Sequence, residues 1–273
     1  MNKILILILL SVFFFSCGKN GKPIFTENPN ADKKKNDTTQ NNSVKKDTTK
    51  KNDANNPAVE FDKLNTKVRD GLISQKDAQE KIKELIPKIT EYYKSEGGKE
   101  YTKDSWVFPL EGYGPDAIGG KGGNGYVMGG YNYFDGNKHT GHPAQDIFIK
   151  DANQDCIDDA KGKPVNVLSI SGGVVIGATN SWQPESDLRG GINIWIYDPA
   201  NNKIFYYAHN KEIFVKPGDT VKPGDLIATV GRTGKNAFPK RSPSHLHLSY
   251  YLVKDGYPVP KNPYEILLKA KRM

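Results

Sequence analysis

The sequence predicts a mainly β fold, an antiparallel β-sandwich or folded sheet, preceded by a small α-helical hairpin. Three observations predict it. From Trp106 onward, short runs rich in β-branched and aromatic residues are bounded by Gly, Pro, Asn and Asp. Two Lys-Pro-Gly-Asp turns, Lys216–Asp219 and Lys222–Asp225, repeat one tight-turn solution within this region. Upstream, Ala78, Ile82, Leu85, Ile86, Ile89 and Tyr93 recur at spacings of three and four, which lays one apolar stripe along a helix.

Taken in order, the chain starts with a targeting segment. Lys3 supplies a positive charge, and Ile4 to Phe15 is an apolar run interrupted only by Ser11, too short to span a bilayer as a helix. It closes on Phe14-Phe15-Ser16-Cys17, and a small residue directly before a cysteine resembles the lipobox of bacterial lipoproteins, with Phe14 where Leu is usual. That resemblance implies a lipid on Cys17; ordinary secretion with an incidental cysteine is the alternative. Residues 18–57 are rich in Lys, Asn, Asp and Thr and nearly devoid of apolar side chains. Such a segment buries too little surface to offset its ordering entropy and reads as a tether.

Residues 58–100 read as the hairpin. A short helix spans Phe61 to Val68 and breaks at Asp70-Gly71; a longer one runs from Ser74 to Ser95. Ser74 and Asp77 approximate a capping box, and Gly97-Gly98 suits the exit. Pro87 is expected to kink this helix or split it in two. In the remaining domain, 101–273, strands are expected over residues 165–170, 173–178, 192–197 and 204–208, with a turn at Asp198–Asn202 joining the last two. Closely spaced strands and turns favour antiparallel pairing over βαβ units.

Composition narrows the function. Cys17 and Cys156 are the only cysteines, so no disulfide framework exists. The net charge of +8 is partly local: residues 18–57 hold nine lysines against five acidic residues, with no basic–aromatic interleaving. A nucleic-acid partner is not expected; attraction to an anionic polymer or membrane surface is the milder reading.

All five histidines, His139, His142, His209, His245 and His247, lie between residues 139 and 247. His142 and Asp146 are separated by three residues, and His245-Leu246-His247 follows downstream. Imidazole nitrogen and carboxylate oxygen are zinc donors, and a catalytic zinc keeps three protein ligands and one open position. No His-Glu-x-x-His helix is present, which excludes a thermolysin arrangement.

From about Trp106 to Leu268 the chain resembles the lysostaphin-type, LytM-like zinc peptidases, which act on peptidoglycan. Four landmarks carry the resemblance in order: His142-Pro143-Ala144-Gln145-Asp146, Tyr207-Ala208-His209, the turn-rich run from Val215 through Gly234, and Ser244-His245-Leu246-His247. Ala144 stands where the family usually has Gly. The resemblance implies a fold of the duplicated-hybrid-motif type and zinc held by His142, Asp146 and His247. It implies His209 and His245 as catalytic residues, and a peptidoglycan peptide as substrate. On a strand, His245 and His247 share one face, so both can look into one cleft. With the lipid on Cys17, the expected location is the cell envelope, anchored to a bacterial membrane. The alternative is a non-catalytic LytM-like module that binds the wall or activates an amidase. A biotinyl- or lipoyl-like carrier is disfavoured because Lys216 and Lys222 sit in no Met-Lys turn.

Three stretches remain. His139 is expected at the cleft rim, supporting the ligands or touching substrate, with a plain surface histidine as the preferred alternative. Asp151–Asp159 imitates the start of a calcium loop, but Cys156 replaces the sixth-position Gly and Gly162 the twelfth-position Glu. A solvated acidic hairpin tip is the favoured reading and Ca2+ the second, with Cys156 an inert thiol. Gly119–Gly125 lacks the context of a phosphate cradle and reads, with Met128–Gly130, as a mobile loop at the cleft entrance.

Overall fold

The computed structural model describes residues 55–273; the targeting segment, Cys17 and the tether up to residue 54 lie outside them. The hairpin comes first. α1 (Pro57–Arg69) starts on Asn56, whose side chain accepts from the Ala58 N–H, and Pro57 takes the first turn, where no N–H is needed. α2 (Gln75–Ser95) is capped by Ser74, which accepts from the Asp77 N–H at 3.1 Å, and it ends with Gly97 at φ +78°. Of the two outcomes expected at Pro87, the split does not occur: α2 runs through it as one element. Pro87 lies on the exposed face and removes a single hydrogen bond, while Ile82, Leu85 and Ile89 keep the opposite stripe buried on both sides of it.

Nine strands follow: β1 (Ala144–Phe148), β2 (Asn166–Leu168), β3 (Gly173–Thr179), β4 (Ile192–Asp198), β5 (Lys203–Ile213), β6 (Thr220–Val221), β7 (Leu226–Val230), β8 (His245–Lys254) and β9 (Tyr257–Lys261), then a short helix, α3 (Tyr264–Lys269). All pairings are antiparallel. The main path is β1-β8-β5-β4-β3-β6, with β9 on β8, and β7 joining β5 to β2. The sheet folds through β5. Residues 203–208 of that strand pair with β8, and residues 210–213 pair with β7. Between them His209 takes φ +65°, the left-handed region. The sequence places a strand end there; instead one long strand bends and continues.

Alternation along the strands builds two cores. Ile194, Ile196, Phe205, Tyr207, Leu246 and Leu248 face inward between the halves of the folded sheet. Ile176, Tyr197, Ile204, Tyr251 and Val253 face the other way and meet Phe61, Ile82 and Ile89 of the hairpin. On β8 this second face also carries His245, His247 and Ser249. The hairpin therefore covers one end of the face on which the histidines stand. The two Lys-Pro-Gly-Asp turns are alike: Asp219 and Asp225 each accept from the lysine N–H three residues earlier at 2.9 Å, with Gly218 and Gly224 at positive φ.

Candidate metal centre

Antiparallel register sets Asp146 on β1 directly opposite His247 on β8, and Phe148 opposite His245. His142 lies just upstream, locked by two backbone hydrogen bonds to Val127. Its Nδ1 is 2.7 Å from the Gly125 carbonyl, so Nδ1 carries a proton and Nε2 is left to face Asp146. That Nε2 stands 3.2 Å from Asp146 Oδ1, and His247 Nδ1 is 3.2 Å from the same oxygen. One donor atom from each of His142, Asp146 and His247 falls within 4.8 Å of the others. Tetrahedral bonds of about 2.0–2.2 Å need donors roughly 3.4 Å apart, so two nitrogens and one oxygen at these distances fit zinc.

Charge balance agrees with the geometry. Burial alone would push the Asp146 carboxyl up, but the imidazoles of His142 and His247 outweigh it and hold the carboxyl well below the usual carboxylate range. Burial pulls His142 down, yet its hydrogen bond to Asp146 leaves it raised above its ordinary value. His247 is lowered by burial despite the same partner.

The other two histidines close the ring. His245 is buried, donates from Nδ1 to the Pro243 carbonyl at 2.7 Å, and points Nε2 to within 3.7 Å of Asp146 Oδ1. His209, buried at the bend of β5, donates from Nδ1 to the Thr233 carbonyl at 2.7 Å. Its ring lies 5.0 Å from that of His245 and 5.4 Å from that of His247. Burial, then the neighbouring rings, hold His209 well below its ordinary pKa, so it is neutral at physiological pH. In both imidazoles Nδ1 is thus tied to the backbone and Nε2 is left over beside the three donors. The bend is guarded by Gly234 (φ +107°), where an added Cβ would lie 2.9 Å from His209 Nδ1 and 2.3 Å from the Arg189 carbonyl.

These shifts set a pH dependence. An unfolded imidazole takes its proton near pH 6.5, whereas His209, His247 and His139 resist until lower, His139 until about 4. Below pH 6.5 protons therefore favour the unfolded chain, and the stability these groups contribute above 6.5 is lost as pH falls. His142 acts in the opposite sense, one group against three. The metal-free protein is expected to lose Tm progressively from pH 6.5 to about 4; a flat or rising Tm there would contradict the assignment.

The cleft has a volume of about 190 Å³ and is lined by all five histidines and Asp146, with Arg189, Tyr206 and Asn236 among the others. His139 is half-buried at its rim, edge-on to Tyr131 at 4.7 Å, with Nδ1 3.1 Å from Arg189 Nη1. The plain surface position favoured for it does not hold. Tyr207 is fully buried in the inter-sheet core and accepts from the Ile170 N–H, so it plays no part in the cleft; Tyr206, one residue earlier, faces it. Sequence reasoning also missed Arg189, which lies in an irregular segment with no motif around it.

The calcium reading is not supported, and neither is a solvated hairpin tip. Asp151 and Asp158 are buried. Asp151 accepts from the Asp155 and Cys156 N–H groups and from the Ser244 hydroxyl, Asp158 from Ala160 and Lys161, and Asp159 from Ala152. These oxygens are spent on the loop's own backbone and on the residue before His245. Burial pushes the Cys156 thiol up, in keeping with an inert cysteine. The Gly-rich loop is fastened rather than free: the Gly123 carbonyl accepts from Gln145, the Gly125 carbonyl orients His142, and Gly119 donates to the Asp146 carbonyl. It serves as a brace for His142 and Asp146.

Residues 153–260 match the model of peptidase family M23. His209, His245 and His247 fall inside the matched stretch, and His142 and Asp146 just upstream of it. Similar solved structures include a protein described as a glycyl-glycine endopeptidase, lytM, from Ruminococcus gnavus, at 28% identity over 62% of this chain and 62% of that one, TM-score 0.41. Another is the antimicrobial peptidase lysostaphin from Staphylococcus simulans, at 21% identity over 60% of this chain and 50% of that one, TM-score 0.34. A zinc containing peptidase from Vibrio cholerae matches at 20% identity over 64% of this chain and 41% of that one, TM-score 0.36. The chain thus spans less than two thirds of each of these structures.

Proposed function

We propose that this chain, which carries a peptidase family M23 domain over residues 153–260, is a zinc-dependent endopeptidase that hydrolyses peptide bonds in peptidoglycan cross-links or stem peptides. We further propose that a lipid on Cys17 holds it in the cell envelope, with the segment up to residue 57 as its tether. One observation carries the catalytic reading. Two buried imidazoles, His209 and His245, each with Nδ1 tied to a backbone carbonyl and Nε2 left over, stand beside a His-Asp-His donor set. A surface that only bound wall polymer would have no use for buried imidazoles held in that tautomer.

His142, Asp146 and His247 would hold the ion. When bound, zinc supplies Lewis-acid polarisation of the scissile carbonyl and acidifies water. His245, nearest the donor set, accepts the proton of the attacking water at Nε2. The imidazolium Nε2–H so formed donates to the developing oxyanion and then returns its proton to the leaving nitrogen. The C–N bond breaks, the hydroxyl stays on the acyl carbon, and the amine leaves neutral. His209 lies 5.0 Å from His245, ring to ring, and its bare Nε2 is a second acceptor that can orient the attacking water.

Wall digestion with metal stripped and restored tests the proposal. The protein is expected to clear a suspension of purified peptidoglycan, to stop after chelation, and to recover with about one equivalent of zinc. Zinc binding without clearing of any wall preparation would favour a wall-binding or activator module instead.

A further inference from the structure

The geometry points to Arg189 as the residue that selects the substrate. Together with the hydroxyl of Tyr206, it takes a free carboxylate carried by the peptide next to the scissile bond. This rests on the peptidase reading above and goes further by naming what the cleft recognises.

The placement follows from the sheet face shared by the histidines and the hairpin. α1 walls a cavity of about 100 Å³ on that face, reached by Asp62 and Arg69. The cavity and the catalytic cleft share His139, Arg189, Gly190 and Tyr206, so these four residues form the junction between them. A peptide lying across the donor set with its flanking residue turned toward the hairpin would pass this junction.

Arg189 is held there as a half-used guanidinium. Its backbone N–H donates to Asn137 Oδ1 at 3.0 Å, and of the guanidinium only Nη1 is engaged, donating to the His139 carbonyl. Burial and then Arg189 itself lower the His139 imidazole to about 4, so the neighbouring ring adds no charge. Among the described residues Arg189 makes no ion pair. The other guanidinium of the cavity, Arg69, is committed to Asp70 at 2.7 and 2.9 Å. A guanidinium carries five N–H donors in a planar fork that matches a carboxylate.

Tyr206 supplies the companion donor. Its hydroxyl has no hydrogen-bond partner among the described residues. The chain passes so close to it at Gly190 that an added Cβ would sit 1.9 Å from the oxygen. An unspent fork and an unspent hydroxyl at one junction suit an anion with two oxygens. A Gly-Gly bridge has no such group, whereas a D-Ala-to-diamino-acid peptide keeps a free carboxylate beside the bond when the acylated amine stands on a carbon that also bears a carboxyl group.

Two synthetic D-Ala-to-diamino-acid peptides, identical except that the diamino acid carboxylate is free in one and amidated in the other, test this with the full chain. Wild type is expected to favour the free acid by about 10- to 100-fold in kcat/KM, the range of one charge-assisted hydrogen-bonded pair. In Arg189→Ala the ratio is expected to fall to about 1 with zinc content unchanged, and in Arg189→Lys to an intermediate value. A wild-type ratio near 1, or a ratio that survives in Arg189→Ala, overturns the inference. If wild type cuts neither peptide, wall digestion decides the peptidase reading, and calorimetric binding of the same two peptides decides this one. Tighter binding of the free acid that Arg189→Ala abolishes upholds it, and equal or absent binding overturns it.

Discussion

Asp146→Ala is expected to take the protein from about one bound zinc to almost none and to end peptide hydrolysis. Asp146 is the hub of the centre: one oxygen meets His142 and His247 at 3.2 Å and His245 at 3.7 Å. Its loss removes one of three donors and also the anion that offsets burial of the rings. Deleting a residue that merely supports a metal ligand costs about 10–100-fold in affinity, and deleting a ligand costs more. His142, which burial alone would lower, loses the partner that raises it. Metal analysis beside a wall-digestion assay checks this; a variant that kept stoichiometric zinc would contradict the ligand assignment.

His245→Ala and His209→Ala are expected to separate catalysis from metal binding. Each should retain about one zinc and lose about 10²–10⁴-fold in kcat, the scale of general acid–base catalysis. Groups that act as a unit are not additive, so the double variant should fall little below the worse single one. His209 holds the further interest, because β5 keeps it at φ +65° through a bend. Strain of this kind persists where the surroundings enforce it, here Thr233 and Gly234. Loss of zinc in either variant would move that histidine into the ligand set.

Much of the centre was legible because it depends on residue type and strand parity. His245 and His247 are two apart, and a strand puts them on one face. The partnership of His142 with Asp146 was legible as chemistry but not as structure. The two residues are joined by β1 register against β8 and by a bridge to Val127, neither of which a spacing of four reveals. At Tyr207 and His209 parity gives no guide, because the positive φ of His209 breaks the alternation between them and Tyr207 turns into the core. The Asp151–Asp159 loop misled because an acidic run looks alike whether its oxygens face a cation or its own N–H groups. The hairpin was legible from its stripe, and even Pro87 fits once its exposed position is known. Arg189 and Tyr206 carried no signal, since only folding gathers them at one junction.

Mass analysis of the fragments released from purified peptidoglycan by the zinc-loaded protein tests the central claim most directly. The account predicts fragments with a new amine and a new carboxylate at a peptide bond, one water heavier in total, and none from the metal-stripped protein. Fragments bearing new sugar reducing ends, or identical release with and without metal, would contradict it.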